Sequence, residues 1–543
     1  MSPSVITKVK DVAWMVGVAR RAGLIRRIPP GRLLRANAAA RGWGRSMGGL
    51  VAANSVLFGD RVHVVDDLGE LTFTEVHSRT NAMARGLTRA GVEPGDTVAI
   101  LCRNHRYFVE ATIACAKAGA HTVFLNTDFA GPQLRELLAR ERPSLVIQDE
   151  EFNDRLGGQE SPWRTLVGWA GPGGRSDLEE LVARESDAPV PVPEQDAQQV
   201  ILTSGTTGTP KGARRGPAKS FDVAAAVLDR VPIRVGEVHY IAAPLFHTWG
   251  FGNCAFSMVL GSTIVLRRRF DPEDALRVID QHRPRAVVMV PVMAQRVLQL
   301  PAEIREKYDH SSLRCVALSG SALPGGFAPA FMDAFGDVLY SAYGSTEVGA
   351  AAFAVPADLR AQPGTAGKPL RGTAVRIFRE DGSEAAVGEG GRIYVGNSWQ
   401  VEEFSGGSLP EIRQGVMATG DLGWFDEEGR LFVDGRSDDM IVSGGENVFP
   451  REVEDLLSLH PGIEEVAVLG VPDDEYGQRL KAFVVARPDA GLSDTDVRDH
   501  VRSHLARYKV PREVVFLREL PRNATGKVLR RVLAQASAPA LSD

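Results

Sequence analysis

The chain has 543 residues, of which 44% are hydrophobic and 24% are charged, and this balance excludes a fibrous or predominantly disordered protein. Its length exceeds one ordinary core, so we expect two or more compact units. The formal net charge of −5 lacks the basic field that holds a nucleic acid backbone, and nucleic acid is therefore excluded as an expected partner.

The cysteines and the apolar runs indicate the compartment. The four cysteines are widely spread, without the CxxC spacing of a zinc site, and we interpret them as buried thiols of a reducing, cytoplasmic environment. No apolar run reaches the roughly 18 residues that cross a bilayer. A secretory signal is not expected, because Arg20 and Arg21 directly follow the apolar residues 12–19, where small cleavage-site residues belong.

Residues 1–48 form a basic extension at the start of the chain. Arginines far outnumber the single acidic residue of its first 45 positions, Asp11, and they alternate with apolar side chains such as Trp14 and Val18. A basic amphipathic segment is typical of contact with anionic lipid, so one prediction is peripheral attachment to the inner face of the cell membrane. The alternative is that the extension packs on the body of the protein. The arginines are Arg20, Arg21, Arg26, Arg27, Arg32, Arg35, Arg41 and Arg45.

From about residue 73, helical patterns alternate with short runs rich in valine, isoleucine and alanine. Examples of these runs are residues 97–101, 144–148, 264–266 and 286–290. Strands that alternate with helices in this way predict an α/β fold with layers built on mainly parallel sheets. We assign this region to a large N-terminal domain.

After about residue 363 the pattern changes to short strands separated by turns. Residues 375–378, 391–395 and 424–433 are examples, and the last range contains the turn Asp426-Glu427-Glu428-Gly429-Arg430. This texture predicts a small, mostly antiparallel and barrel-like β unit at the end of the large domain.

The tail of the chain predicts a separate α+β domain. Pro450 suits the first turn of a helix, strands are expected at residues 465–471 and 482–486, and Ser493 is expected to cap a second helix. We therefore divide the chain into the extension 1–48, the large domain 49–434, a hinge at 435–438 and a small mobile domain 439–543.

A polar loop rich in glycine and threonine follows the apolar run Val200-Ile201-Leu202. Its glycines let backbone N–H groups approach an anion, its hydroxyls add donors and Lys211 adds a positive charge, so the pattern predicts a phosphate-binding loop. It is not a Walker A loop, because Pro210 precedes the lysine and Gly212 follows it. The loop residues that we assign to nucleotide binding are Thr203, Ser204, Gly205, Thr206, Thr207, Gly208 and Lys211.

Four further motifs follow this loop. They are Tyr343-Gly344-Ser345-Thr346-Glu347, Thr419-Gly420-Asp421, Gly435-Arg436-Ser437-Asp438 and Asn523-Ala524-Thr525-Gly526-Lys527. Together with the loop they resemble the signature of the adenylate-forming superfamily, which includes acyl- and aryl-CoA synthetases, firefly luciferase and peptide-synthetase adenylation domains. The resemblance covers roughly residues 50–535, and within the superfamily the chain is most similar to actinobacterial fatty-acid–CoA ligases.

The resemblance implies that ATP and Mg²⁺ are the ligands of these motifs. A carboxylate that attacks the α-phosphorus must overcome charge repulsion, so cations and hydroxyls are needed around the phosphates. By resemblance, Tyr343 stacks on adenine and Asp421 accepts hydrogen bonds from the ribose hydroxyls. The implied catalytic residues are Thr346, Glu347, Lys527 and His247, and the implied metal ligands are Thr206 and Glu347. The remaining implied nucleotide-binding residues are Gly320, Ser321, Ala322, Tyr343, Gly344, Asp421 and Arg436.

A glycine-rich run in the tail implies the second co-substrate. Ser443-Gly444-Gly445-Glu446 resembles the loop that meets the pantetheine passage of CoA ligases, which implies binding of CoA. A tight turn between two strands is a second interpretation, and both can hold together. By resemblance the small domain swings about Asp438 after pyrophosphate leaves, so that two half-reactions share one site.

These features predict an ATP-dependent fatty acid–CoA ligase that forms acyl-AMP and then acyl-CoA, releasing AMP and pyrophosphate. Apolar residues near His247, such as Phe246, Trp249, Phe251 and Met293, favour a medium or long acyl chain. One alternative is an enzyme that adenylates an aryl acid or loads a carrier protein, and another is a non-catalytic nucleotide- or lipid-binding protein. The chain length, the acceptor thiol, the oligomeric state (a homodimer is one candidate) and the effect of the atypical segment 398–418 stay open.

Overall fold

The structure is a computed structural model that describes most of the chain, and it divides into two compact units. Unit 1 comprises Met1–Met289, Gln299–Ala317 and Ser398–Leu409, and unit 2 comprises Val290–Leu298, Leu318–Asn397 and Pro410–Asp543. The described residues are 3–44, 46–158, 161–171, 173–203, 211–215, 222–401, 403–405, 409–443, 446–473, 477–523 and 526–535.

Unit 1 contains a mainly parallel sheet in the order β18-β8-β7-β4-β3-β5-β6. Strands β7 and β8 pair antiparallel, as do β8 and β18. Residues 98–101 of β3 have 0% exposure, because a parallel sheet is buried on both faces and its strands read as continuous apolar runs. The strands are β3 (Thr97–Leu101), β4 (His121–Phe124), β5 (Leu145–Gln148), β6 (Thr165–Val167), β7 (Gln199–Thr203), β8 (Lys211–Arg215) and β18 (Glu403–Ser405).

A second sheet of unit 1 follows the order β12-β11-β9-β10-β1-β2. Its strands are β1 (Val62–Asp66), β2 (Gly69–Thr72), β9 (Val238–Ile241), β10 (Thr263–Val265), β11 (Ala286–Met289) and β12 (Cys315–Leu318). The helices of unit 1 are α1 (Pro3–Arg21), α2 (Pro30–Ala40), α3 (Met47–Phe58), α4 (Phe73–Arg89), α5 (Arg106–Ala118), α6 (Gly131–Glu141), α7 (Asn153–Leu156), α8 (Asp177–Arg184), α9 (Asp222–Arg230), α10 (Thr248–Val259), α11 (Pro272–His282) and α13 (Ala302–Glu306).

Unit 2 contains three groups of strands. The first runs β15-β14-β13, the second is a half-barrel sheet β16-β17-β20-β19 with β21 on β20, and the third is β23-β22-β25-β24 with β26 on β25. The strands are β13 (Leu339–Ser345), β14 (Gly349–Ala354), β15 (Lys368–Pro369), β16 (Ala374–Phe378), β17 (Gly391–Gly396), β19 (Ile412–Arg413), β20 (Val416–Phe425), β21 (Leu431–Arg436), β22 (Ile441–Ser443), β23 (Glu446–Val448), β24 (Ile463–Asp473), β25 (Gly477–Ala486) and β26 (Glu513–Phe516). The helices are α12 (Pro291–Gln299), α14 (Phe327–Phe335), α15 (Pro356–Ala361), α16 (Pro450–Ser458), α17 (Asp494–His504) and α18 (Arg530–Gln535).

The predicted α/β class and the antiparallel, barrel-like β unit are confirmed. Helix α16 begins at Pro450 as predicted, and Ser493 caps α17 through a reciprocal hydrogen-bonded box with Asp496. The expected strands of the tail are β24 and β25. The hinge at 435–438, the mobility of the tail and the domain boundaries stay predictions.

Two further features bear on the expectations. Within the atypical segment, β18 pairs with β8 and so extends the sheet that contains β7; the sequence did not predict this strand. Among the helices that the structure describes, none combines the length and the apolar character needed to cross a bilayer.

Candidate active site

The phosphate-loop pattern lies between β7 and β8. Val200, Ile201 and Leu202 are buried in β7, as the apolar run predicts. Thr203 and Lys211 are backbone partners in the antiparallel pair, so the two ends of the loop lie side by side. Ser204, Gly205, Thr206, Thr207 and Gly208 lie outside the described residues, and so do the side chains of Thr203 and Lys211.

The second motif lies at the turn between β13 and β14. A Cβ at Gly344 would lie 2.0 Å from the carbonyl oxygen of Gly349, so no side chain fits at position 344. The hydroxyl oxygen of Ser345 accepts hydrogen bonds from the N–H groups of Glu347 (3.2 Å) and Val348 (3.4 Å). These contacts hold the turn that presents Thr346 and Glu347, both of which are partly exposed.

Asn397 lies outside the motif and stabilises the same turn through hydrogen bonds. Its side-chain amide donates to the carbonyl oxygens of Val348 (2.9 Å) and Ala350 (3.1 Å). The sequence analysis missed this residue. Its partners lie 47 and 49 residues away, so no local pattern signals the role.

Tyr343 and Asp421 are joined directly. The Tyr343 hydroxyl donates to Asp421 Oδ2 at 2.7 Å and lies 3.4 Å from Thr419 Oγ1. Thr419 Oγ1 donates to the carbonyl oxygen of Ile393 (2.9 Å) and accepts the N–H of Asp421 (3.1 Å). Thr419 therefore positions the carboxylate, a role that the sequence analysis did not assign.

The pKa values of both side chains in this pair are raised. Burial raises the pKa of Asp421, although the Tyr343 hydroxyl and the cations of Arg436 and Lys527 oppose the rise. Burial and then the Asp421 carboxylate raise the pKa of Tyr343 well above its ordinary value, so the phenol stays a donor. The carboxylate has a second oxygen whose protein contact is long, which leaves acceptor capacity for hydroxyl groups of a ligand.

Arg436 lies beside Asp421 because the two residues are paired across β20 and β21. Its guanidinium donates to the carbonyl oxygen of Thr419 at 3.1 Å and lies 3.5 Å from Asp421 Oδ1. A Cβ at Gly420 would lie 2.8 Å from the same guanidinium, and Gly420 has φ +79°, which favours glycine. Asp438, the predicted hinge residue, lies 3.8 Å from the Arg436 guanidinium.

Lys527 is presented by a tight turn. Its N–H donates to Asn523 Oδ1 (2.9 Å), and the N–H of Asn523 donates to the Lys527 carbonyl oxygen (2.9 Å). Gly526 has φ +75°, and a Cβ there would lie 2.3 Å from Val292 Cγ1. Glycine is therefore required next to the lysine, which explains that part of the motif.

The Lys527 ammonium interacts electrostatically with three predicted residues of unit 2. Lost hydration, then the Arg436 cation, lower its pKa, while the carboxylates of Asp421 and Glu347 oppose the change. Lys527 is nevertheless exposed as a residue. The ammonium is therefore partly dehydrated and within electrostatic range of both carboxylates, on a residue that is exposed overall.

The remaining predicted residues are distributed as follows. Gly320, with φ +99°, lies in an exposed segment with Ser321 and Ala322, and the adjacent Ser319 hydroxyl donates to the Ala342 carbonyl oxygen of β13 at 2.8 Å. His247 belongs to unit 1, where it occupies the N-cap position of α10 and its ring centroid lies 4.5 Å from that of Phe246.

The predicted CoA loop lies between β22 and β23, which pair antiparallel. Ser443 and Glu446 are backbone partners in the antiparallel pair of β22 and β23. Gly444 and Gly445, and the side chains of Ser443 and Glu446, lie outside the described residues. The tight turn and the CoA role both stay predictions.

Comparisons with known proteins agree with this geometry. The model of the AMP-binding enzyme family matches residues 52–403, and that of the AMP-binding enzyme C-terminal domain matches residues 452–527. The chain is 34% identical to a feruloyl-CoA synthase of an Amycolatopsis species over 85% of this chain and 92% of the relative. It is 30% identical to the fatty acid–[acyl-carrier-protein] ligase ScoC of Streptomyces coeruleorubidus over 85% and 91%.

A solved structure extends the similarity to the fold. The o-succinylbenzoate CoA synthetase of Bacillus subtilis, in complex with its acyl-adenylate intermediate, has a TM-score of 0.79 and 29% identity, covering 90% of this chain and 98% of that one. Three observations lead to one conclusion. They are the order of the motifs along the chain, the arrangement of Tyr343, Asp421, Arg436 and Lys527, and the matches over most of the chain. The chain belongs to the AMP-binding enzyme family, as an AMP-forming acyl-CoA synthetase.

Proposed function

We propose that the protein is an ATP-dependent fatty acid–CoA ligase. It activates a medium- or long-chain acid as acyl-AMP and transfers the acyl group to CoA, releasing AMP and pyrophosphate. The observation that supports this most directly is the interaction of the exposed Lys527 with Asp421 and Glu347 in unit 2. That arrangement combines a cation for the reacting phosphate with an acceptor for the ribose.

In the first half-reaction a carboxylate oxygen attacks the α-phosphorus of ATP, and the bond to pyrophosphate breaks. Lys527 stabilises the negative charge that accumulates on the attacking acid and the phosphate. Asp421 accepts hydrogen bonds from the ribose hydroxyls. Its hydrogen bond with Tyr343 orients the phenol ring for stacking on adenine. Arg436 donates a hydrogen bond to the Thr419 carbonyl oxygen, and this contact positions its guanidinium beside the ribose.

Mg²⁺ fits the oxygen donors of this site. Glu347 presents a carboxylate, a hard donor of the kind that Mg²⁺ binds together with phosphate oxygens. We propose Glu347 and Thr206 as its protein ligands, and when bound the ion neutralises phosphate charge.

In the second half-reaction the CoA thiolate attacks the acyl carbonyl carbon and AMP leaves. We assign Ser443, Gly444, Gly445 and Glu446 to the pantetheine passage, reached by rotation about Asp438. A bulky residue at Gly445 is expected to slow transfer to CoA while acid-dependent exchange of pyrophosphate into ATP continues. Unchanged CoA transfer in that variant would contradict the assignment.

Support for a fatty acid comes from the surroundings of His247 in unit 1. Phe246 is buried beside the His247 ring, and Phe251 packs on Phe124 with ring centroids 4.8 Å apart. One relative is named a fatty acid ligase. Aryl acids are the second candidate, because another relative is named a feruloyl-CoA synthase.

The deciding experiment is a panel of acids offered with either CoA or a phosphopantetheinyl carrier protein. The acids are saturated fatty acids of graded length and the aryl acid ferulate, and the readouts are AMP and thioester. We expect the highest kcat/KM for a medium or long fatty acid with CoA. A preference for the aryl acid, or for the carrier, would overturn the finer assignment. Absence of acid-dependent pyrophosphate exchange with every acid would instead indicate a non-catalytic nucleotide- or lipid-binding protein.

A homodimer stays a prediction. The chain has a mass of 58.6 kDa, so light scattering at twice that mass would support it. Contact of the basic extension with the inner face of the cell membrane is likewise proposed.

A further inference from the structure

Exposed apolar side chains are concentrated near the start of the chain. The described residues include 16 exposed large hydrophobic side chains, and seven of them lie between positions 12 and 34. Leu34 is 69% exposed and Val12 is 55% exposed. Such a concentration marks an interaction surface, whereas exposed apolar residues scattered singly are ordinary. The seven residues are Val12, Met15, Val16, Leu24, Ile25, Leu33 and Leu34.

These side chains stay exposed although the segment is anchored on unit 1. Val18 is buried in α1, the Trp14 indole N–H donates to Asp229 at 3.0 Å, and Arg21 forms an ion pair with the same carboxylate. Val12 and Val16 lie one helical turn apart on the face of α1 opposite to Val18. Packing on the protein body, the alternative left by the sequence, therefore accounts for one face of α1 and leaves the other uncovered.

The same segment carries unbalanced positive charge. Seven arginines lie between positions 20 and 41, where the sequence has no acidic residue. Burial, then the cations of Arg61 and Arg32, lower the pKa of Arg26, whose guanidinium lies 4.6 Å from the Phe58 ring centroid. A local excess of guanidinium groups attracts anions.

We propose that these seven apolar residues, together with Arg20, Arg26, Arg27, Arg35 and Arg41, form a docking surface for an anionic lipid bilayer. Apolar side chains flanked by arginines match the interface of such a bilayer, where acyl chains meet phosphate headgroups. This proposal rests on the membrane contact of the proposed function, and it specifies the residues and the lipid class involved. It does not depend on which acid the enzyme activates.

Cosedimentation of the full-length protein with vesicles tests the surface. Vesicles of phosphatidylglycerol and phosphatidylcholine are compared with vesicles of phosphatidylcholine alone, at about 0.1 M and about 0.5 M salt. We expect binding to the anionic vesicles at least about tenfold stronger at low salt, with most of the difference lost at high salt. Binding that is equal for both vesicles, or absent, would overturn the proposal.

Two exposed pairs and matched controls locate the surface. We expect Leu33→Asn with Leu34→Asn to weaken vesicle binding at least about tenfold, and Arg27→Gln with Arg35→Gln to weaken it about tenfold or more. The controls Val387→Asn and Arg487→Gln alter exposed residues of unit 2 and are expected to leave binding unchanged.

Two further outcomes would overturn the proposal. Equal effects of test and control variants would overturn the assignment of this surface. A change in the mass measured by light scattering, with vesicle binding unchanged, would identify the surface as an interface between copies and would also overturn it. Acid-dependent pyrophosphate exchange measured without vesicles monitors the proposed enzyme separately, so failure of either inference is distinguishable from failure of the other.

Discussion

Asp149, which is buried in unit 1, and Asp421, which is partly buried in unit 2, have pKa values shifted in opposite directions. Asp149 of unit 1 accepts a hydrogen bond from His105 Nε2 at 2.8 Å and another from the Arg103 N–H at 3.0 Å. Although burial acts to raise it, His105 and the Arg103 amide bring the pKa of Asp149 below its ordinary value. Asp421 of unit 2 has the Tyr343 hydroxyl and a longer contact with Arg436, and its pKa is raised by burial.

We interpret this difference as that between a structural carboxylate and a proposed ribose-binding carboxylate. Asp149 has its negative charge compensated within the protein, so it stabilises the fold. Asp421 is less well compensated, and we propose that the hydroxyl groups of a ligand supply further hydrogen-bond donors. Perturbed titratable groups of this second kind are typical of functional sites. The following predictions test this contrast.

The largest effect is expected for Lys527→Ala, which removes an exposed cation that acts on Asp421. The rate of adenylate formation should fall about 100- to 1000-fold, because the charge on the reacting phosphate loses its partner. Thiolation of a supplied acyl-adenylate should continue at nearly the normal rate. Pyrophosphate exchange measures the first step, and Lys509→Ala, which removes a lysine paired with Glu452, is the matched control. Equal loss of both steps would contradict the assigned role.

The two carboxylates should respond oppositely to amide substitution. Asp149→Asn should lower the free energy of unfolding by about 3 kcal/mol, because it breaks a buried pair, and should leave the KM for ATP nearly unchanged. Asp421→Asn should alter stability by less than about 1 kcal/mol and reduce kcat/KM for ATP about tenfold to hundredfold. Urea unfolding and steady-state kinetics measure both variants. A larger stability loss in Asp421→Asn than in Asp149→Asn would refute the contrast.

Buried imidazoles without a carboxylate partner extend the comparison. His63 contacts the Ser262 carbonyl oxygen and His239 contacts the Ser257 hydroxyl, and burial lowers the pKa of each from 6.5 to about 4. The folded state keeps them neutral while the unfolded state binds protons, so their contribution to stability is complete above about pH 6.5 and is lost as the pH falls through about 4.

Each of these histidines should therefore lower the free energy of unfolding by about 2 kcal/mol between pH 7 and about pH 5. Urea unfolding at the two pH values measures the loss. His239→Gln should reduce the pH dependence, whereas His504→Gln, at an exposed position, should leave it unchanged. The same pH dependence in both variants would argue against burial as the cause.

The smallest effect is expected for Tyr343→Phe, which keeps the ring and removes one donor from Asp421. The KM for ATP should rise about fivefold, corresponding to about 1 kcal/mol for a hydrogen bond, with kcat nearly retained. The pKa of Asp421 should rise further, so the acidic limb of the kcat/KM profile should move to higher pH. Tyr394→Phe, which removes a hydroxyl bound to Glu411, is the control. An unchanged profile would show that the tyrosine does not act on Asp421.

Several features were predictable because they depend on neighbouring residues. The run Val200-Ile201-Leu202 indicated a strand before the polar loop, and β7 confirms it. Ser493 and Asp496 form a cap because they lie three residues apart. The strand β18 escaped prediction, since its partner β8 lies far away in the chain. Asn397 and Thr419 escaped for the same reason, because their roles consist of contacts with distant backbone groups.

The order and chemistry of the motifs can be read from the sequence alone, and with them the family and the elements that carry Tyr343, Asp421 and Lys527. The folded structure was needed to show that the tyrosine donates to a carboxylate 78 residues away and that this carboxylate is poorly compensated. The two kinds of feature differ in the distance along the chain over which their interactions act. Helix caps and strand periodicity are set within a few residues, whereas hydration and charge at a site are set by every segment that packs around it.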